Sequence, residues 1–219
     1  MAPEIIDIRQ FSARAFMPLL QSESTHWDAG LRWDYASSIE LIIDCLEDKR
    51  LSGYALVVDK RLRGYCFFFY EGDKGLIGNL FVEPVEDSGL PHVRLLLDHV
   101  LETMLATPGI RRVETQLPHY SYDDLWPIFQ ARHFAGYARY FMGAPLGPWA
   151  GNAEPSIART PRGIPEGFAV VPWEHRHDRE ASQLLYLAYR NHEDAAINDQ
   201  YGTSAGAERL IDNIVRHRG

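Results

Sequence analysis

Apolar positions along the 219-residue chain recur at two different periods, and the switches between them mark out its elements. Ile5, Ile6 and Ile8, with Asp7 among them, predict a first strand ending near Phe11. A short helix is expected to start close to Pro18, because proline suits a first helical turn and costs a hydrogen bond deeper in. Ile39, Ile42, Ile43 and Leu46 then recur at helical spacing, with Ser37 or Ser38 as the cap. Segments 54–58, 65–70 and 76–82 are rich in aromatic and β-branched residues and are separated by polar connections at 59–60 and 71–75, which predicts an antiparallel meander. The helical period returns where Val93, Leu96, Leu97, Val100, Leu101, Met104 and Leu105 share one face and Arg94, Asp98 and Glu102 the other. Pro108-Gly109 ends that helix. Segment 112–117 reads as a strand, 123–132 as a short helix interrupted by Pro127, and 137–142 as a last strand. A helix between the fourth and fifth strands is a crossover, so those two are expected to be parallel neighbours in an otherwise antiparallel sheet.

Residues 147–166 hold four prolines and three glycines without a periodic apolar face, and read as a linker between a domain at 1–146 and a segment at 167–219. In that segment 168–173 is strand-like. Asp178 caps a helix with Ala181, Leu184, Leu185, Ala188 and Tyr189 on one face, and Thr203 or Ser204 caps another with Leu210, Ile211, Ile214 and Val215. This β-α-α order repeats the head of the first domain. About 50 residues bury too little surface to stand alone. The reading is therefore a second domain truncated at Gly219, with self-association through its apolar helix faces, or a complete chain whose tail packs on the first domain.

Composition narrows the class. With 46% hydrophobic and 24% charged residues the chain has the material for a core and is not wholly disordered. The net charge of −8 opposes attraction to nucleic-acid phosphate or an anionic membrane, so neither is expected as a partner. Cys45 and Cys66 form no CxxC pair and read as reduced, buried thiols. The N-terminus has no apolar core of a signal peptide, and no apolar run approaches the roughly 20 residues that span a bilayer, so a soluble cytoplasmic protein is expected.

The order of elements, the long 93–105 helix after Leu80-Phe81-Val82, and the repeated β-α-α start resemble the GCN5-related N-acetyltransferase (GNAT) family, over Ile5 to about Leu146 and again from Gly167, as in a tandem member. The resemblance implies an α/β (α+β) fold: a mixed, mostly antiparallel sheet flanked by helices, plus the head of a second such domain. It implies transfer of an acetyl group from acetyl-CoA to a small-molecule or protein amine. The pantetheine arm would lie between strands four and five beside Phe81 and Val82, and the pyrophosphate on the turn before the long helix, at Gly89, Leu90 and His92. Free N–H groups and the helix dipole suit such a turn to phosphate. In the family the turn reads Gln or Arg, two residues, Gly, one residue, then Gly or Ala. Here it is Glu86-Asp87-Ser88-Gly89-Leu90-Pro91, and only Gly89 fits. Each of the two carboxylates costs on the order of 1 kcal/mol beside a diphosphate, and Pro91 removes a donor. The domain is therefore expected to be degenerate and to bind acetyl-CoA weakly or not at all.

Direct acyl transfer needs a base for the ammonium and an acid for the departing thiolate. Glu83 or Glu114 is placed by the resemblance as base, the alternatives being a strand-end cap and a solvated strand residue. Phe129 stands where the family's acidic tyrosine would, which leaves Tyr120 or Tyr122, just after the fifth strand, to substitute or to pack. His119 has a suitable ordinary pKa for a base. His175 and His177 lack a third ligand at fixed spacing, so no metal is expected, and Asp178 beside them reads as a helix cap. Trp27, Trp33 and Tyr35 form either core packing or a wall of the acceptor side. Two main function classes stand: an acyltransferase, and a non-catalytic module that positions a substrate or partner. A regulatory or structural domain without acyl-CoA chemistry is the third.

Overall fold

Glu4–Asp7 (β1), Ser52–Val58 (β2), Arg61–Glu71 (β3), Lys74–Val82 (β4) and Arg112–Thr115 (β5) pair into one sheet in the order β1-β2-β3-β4-β5. The computed structural model describes residues 2–84, 89–140, 142 and 165–216, which divide into two units, Met1–Gly143 and Ala144–Gly219. Two-residue turns join the meander. Val58 pairs with Arg61 across Asp59 and Lys60, both at positive φ, and Glu71 pairs with Lys74 across Gly72 and Asp73, with Gly72 at φ +64°. Such turns match the right-handed twist of the flanking strands. β1 is shorter than expected because the Asp7 carboxylate accepts the Arg9 N–H at 2.9 Å and starts a 3-10 turn at Ile8–Gln10.

Strands β1 to β4 run antiparallel, whereas β4 and β5 are parallel, joined by the crossover helix α3, Gly89–Ala106. Their register runs only from Lys74↔Arg112 to Ile77↔Thr115. The next residue, Gly78, is an extra residue against β3, whose register jumps from Phe67↔Asn79 to Phe68↔Ile77. A bulge of this kind bends its strand and strengthens its twist, so β4 parts from β5 from Gly78 onward. A side chain there would require the Phe67 ring to move: an added Cβ would stand 2.2 Å from its Cε2.

Helices cover both faces. On one, α3 and α4 (Tyr122–Gln130) pack Val93, Leu96, Leu97, Val100, Leu101, Met104, Leu125 and Ile128 against Leu56, Cys66, Phe68, Ile77, Leu80 and Val82. On the other, α1 (Ala13–Leu31) and α2 (Ala36–Glu47) pack Phe16, Leu19, Leu20, Ile42 and Leu46 against Ile8, Ala55, Tyr65 and Phe81. The result is a mixed, mostly antiparallel sheet flanked by helices, the layout that the GNAT resemblance implies.

Several expectations are corrected. The first helix is not short: it begins at Ala13, places Pro18 at its sixth position and runs for 19 residues. Burial of Ala13 and Phe16 in its first turns offsets the hydrogen bond that Pro18 forgoes. Likewise Pro127 lies within α4 without interrupting it, the helix being started by Ser121, whose Oγ accepts the Asp124 N–H at 3.2 Å. α2 begins before Ser37, and the Asp34 carboxylate, not a serine, accepts its first N–H, that of Ala36, at 2.9 Å. Leu105 lies outside the α3 core face. Residues 137–140 and 142 form no strand, and Tyr140 and Met142 are solvent-exposed without a pairing partner among the described residues.

In the second unit, residues 168–173 also form no strand, and Phe168, Val170 and Val171 are exposed. Its helices are α5 (Asp178–Tyr189), α6 (Glu193–Ile197) and α7 (Ser204–Arg216). The α5 face is rotated from the expected one: Ser182 is buried while Leu184 and Ala188 face outward. α7 starts at a Thr203 cap whose Oγ1 accepts the Gly206 N–H at 3.0 Å, and Gly206 lets the helix approach the Gln200 backbone, where a Cβ would meet the carbonyl at 2.7 Å. Ile214 of the expected α7 face is also exposed. The expected linker falls mostly outside the described residues. No helix among the described residues is long and apolar enough to cross a membrane.

Leu101 is fully buried at the centre of α3, so Leu101→Ala is expected to lower unfolding stability by about 2–5 kcal/mol. Urea denaturation measures it, with an unchanged m-value showing that the fold is retained.

Candidate functional site

Where β4 parts from β5, the chain folds its own turn into the opening. After β5, Tyr120 N–H donates to the Leu117 carbonyl at 3.1 Å, closing a four-residue turn with Pro118 in its second place, the position that its fixed φ suits. That turn delivers His119 and Tyr120 to the diverging edge of β4. The Tyr120 Oη accepts the Val82 backbone N–H at 3.2 Å. Burial raises the Tyr120 pKa, so its hydroxyl keeps its proton through neutral pH.

His119 lies in an aromatic cage. Its ring stands edge-on to Trp27 at 4.0 Å between centroids, with His26 at 5.0 Å and Phe81 at 6.4 Å. Its Nε2 is buried and has no hydrogen-bond partner. Burial, reinforced by the neighbouring His26, pushes the imidazole pKa down to about 4, so it is neutral at pH 7.

Behind this cage is a carboxylate in the core. Glu23 of α1 is fully buried. Trp27 Nε1 and Asn79 Nδ2 donate to its Oε1 at 3.1 and 2.6 Å, and the Tyr65 hydroxyl donates to its Oε2. Asn79 Nδ2 also reaches the Tyr35 and Tyr65 hydroxyl oxygens, each at 3.1 Å. Desolvation raises the Glu23 pKa despite these donors, and burial with the nearby Glu23 charge raises those of Tyr35 and Tyr65. The network ties α1 to β3, β4 and the start of α2, and it orients Trp27 against both His119 and Tyr35, on which Trp27 stacks at 4.9 Å. Trp33 and Tyr35 line an open cleft of about 310 Å³ together with Ser24, Thr25, Asp28 and Asp34.

The residues singled out from sequence separate into groups. Phe81, Val82, His119 and Tyr120 meet at the strand opening. Glu83, one residue beyond Val82, is ion-paired with Arg63 and donates its N–H to the Arg63 carbonyl at 2.7 Å. Glu114 lies opposite Leu76, about 20 Å down the strand from Val82 at the usual rise, and contacts Arg112 and Lys74, the latter at 3.7 Å. Gly89, Leu90 and His92 belong to the first turn of α3, where Pro91 supplies no N–H. Glu86, Asp87 and Ser88 lie outside the described residues. Phe129 packs on Phe134 at 5.3 Å, and Tyr122 stacks on Trp126 at 5.1 Å. In the second unit the His177 Nδ1 accepts the Glu174 N–H at 3.0 Å, and Asp178 accepts from Trp173 Nε1 at 3.0 Å, as the first residue of α5 and not its cap. No group of three metal-ligating side chains occurs among the described residues. Glu23 and His26 were not legible as site residues, although Phe16, Leu20, Glu23 and Trp27 share one helical stripe, and a carboxylate on such a stripe signals a buried polar network.

No protein-family model matches the sequence, and no curated protein matches it significantly. Among solved structures, the chain is similar to a ribosomal-protein-alanine N-acetyltransferase from Brucella melitensis biovar Abortus 2308, at 16% identity over 65% of this chain and 98% of that one, with a TM-score of 0.42. It is similar to a PaiA N-acetyltransferase from Thermoplasma acidophilum in complex with coenzyme A, at 18% identity over 61% and 89% of the two chains, with a TM-score of 0.43. A GCN5-related N-acetyltransferase from Ralstonia eutropha JMP134 is similar at 12% identity over 66% and 99%, with a TM-score of 0.45. Likenesses this distant leave every residue role and ligand to this chain's own geometry.

Buried Glu23 and half-buried His119 have opposite pH signatures. Glu23, with its folded pKa raised, adds stability that is complete below its unfolded pKa and is lost as pH rises through the folded value. His119, with its folded pKa lowered to about 4, adds stability that is present above its ordinary value of 6.5 and is lost as pH falls toward 4. Glu23→Gln is expected to flatten the loss on the alkaline side, and His119→Gln the loss on the acid side, in melting temperatures taken from pH 4 to 9. Glu23→Ala, which strands several buried donors, is expected to cost at least about 3 kcal/mol at pH 7.

Proposed function

We propose that the first unit is an acetyltransferase-family domain that transfers an acetyl group from acetyl-CoA to an amine, with weak affinity for that thioester. The observation behind this reading is that the parallel β4–β5 pairing ends at Ile77 and Thr115, with the Val82 N–H beyond it bonded to a side chain and the first turn of α3 following the strand; on this reading a ligand slot lies there. The slot fits an extended amide chain: Val82 N–H would hold an amide carbonyl, and the N–H groups of Gly89 and Leu90 would hold phosphate. When bound, acetyl-CoA supplies the activated acyl group. His119 offers an unpaired Nε2 that is neutral at pH 7, but with its pKa pushed down to about 4 it is only a weak base, and Tyr120 keeps a hydroxyl proton to donate. Asp28 and Asp34 with the rings of Trp33 and Tyr35 suit the cleft to a cationic amine. Glu83 and Glu114 serve this reading less well, since each is held by a basic side chain. The second unit is taken as the helical head of a further such domain, with self-association through exposed side chains such as Leu184 and Ile214.

A second reading, a non-catalytic module, is favoured by the Tyr120–Val82 contact, because the slot is filled by the chain's own turn. Calorimetric titration of acetyl-CoA separates the two. The unaltered chain is expected to bind more weakly than micromolar, and Glu86→Gln with Pro91→Gly to gain about tenfold or more, one charge removed and one donor returned. Micromolar binding by the unaltered chain overturns the acidic-turn account. Absence of binding by both forms at millimolar ligand supports the non-catalytic module.

A further inference from the structure

We propose that Tyr120 is a latch: its hydroxyl occupies the Val82 N–H in place of a ligand carbonyl, and the β4 edge opens to an extended amide chain only when Tyr120 lets go. This rests on the reading that the slot receives a thioester carrying such a chain.

The support lies in how the residue is held. On the β4 edge beyond Ile77 no strand among the described residues pairs on the β5 side, so a backbone N–H there needs another acceptor, because an unsatisfied buried donor costs about 1–3 kcal/mol. Val82 is buried, and Tyr120 Oη is the acceptor it has. The turn from Leu117 to Tyr120 carries that oxygen, pinned by β5 on one side and by the Ser121 cap of α4 on the other. The Tyr120 ring also packs against the core cluster of α3 and α4. Its release therefore gives up one hydrogen bond and some packing, and a ligand amide that takes Val82 N–H restores only the hydrogen bond. A ligand with no carbonyl at this depth gains nothing from the exchange. The latch thus lowers affinity for every occupant of the slot and selects those that carry an amide there. Tyr120 is here a positioning residue acting on the backbone of β4.

Hydrogen exchange tests the latch without any ligand. In Tyr120→Phe the Val82 amide is expected to exchange at least tenfold faster while the amides of Val100 and Leu101 keep their protection, which shows the fold intact. Unchanged Val82 exchange overturns the latch whatever acetyl-CoA does. Titrated with acetyl-CoA, Tyr120→Phe is expected to bind several-fold tighter than the unaltered chain. Equal or weaker binding, with Val82 exchange accelerated, overturns the competition. Absence of binding by both forms with accelerated exchange overturns the thioester reading and with it the competition, and leaves Tyr120 as a structural acceptor of the Val82 N–H. Should Tyr120→Phe fail to fold, the unaltered chain decides: on titration, the Val82 amide and Tyr120 ring resonances are expected to shift together with one midpoint, and a Val82 shift without Tyr120 overturns the proposal.

Discussion

Everything at the site depends on the contact between the Phe67 ring and Gly78. The ring covers the place of a Cβ, so any other residue at 78 would have to push Phe67 aside. The extra residue inverts the strand's phase: Ile77 shares a core with Leu80 and Val82, while Phe81 joins the opposite one. An unbroken strand would have put 77, 79 and 81 on a single face. The same inversion turns the last residues of β4 out of register with β5, so the parallel pair ends at Thr115. One glycine thereby sets the phase of two cores and the opening between two strands.

The buried Glu23 is the second constraint, and its role is orientation more than stability. A carboxylate taken out of water costs several kcal/mol, and a core with Glu23, Tyr65 and Asn79 all replaced by well-packed apolar side chains would be as stable or more so, whereas removal of Glu23 alone strands its donors. What the carboxylate provides is a fixed relation among elements that are otherwise held by non-directional packing. Trp27 from its own helix, Tyr65 from β3 and Asn79 from β4 all point their polar atoms at one place. Trp27 consequently stands where it walls His119 on one side and backs Tyr35 on the other.

The meander and the crossover helix were legible because each is a long run of one period, and the parallel β4–β5 pair followed from the helix between them. The bulge was not legible: Gly78 in sequence looks like any weak strand residue, and its meaning comes from Phe67 on the neighbouring strand. Pro18 and Pro127 misled for a related reason. A proline's local cost is fixed, but whether the helix bears it depends on what the flanking turns bury. Segments 137–142 and 168–173 have strand-like composition yet no pairing among the described residues, since β propensity needs an edge to act on. At the site, Tyr120 and His119 stood out by type, but that a Pro118 turn would swing both into the strand opening lay in the tertiary structure.

On the proposed acetyl-CoA reading a thioester would meet two obstacles, and they differ in kind. Glu86 and Asp87 precede α3 in sequence, and on that reading they would oppose a diphosphate by charge, an effect that reaches roughly 10 Å at 0.1 M salt and shrinks as salt rises. At Val82 the obstacle is a short-range hydrogen bond to a neutral, buried hydroxyl, which salt scarcely touches. Relief of the first leaves the second in place. On that reading an occupant must either carry little negative charge, or bring enough binding energy from its amide chain to displace Tyr120 and bear the repulsion of Glu86 and Asp87 as well.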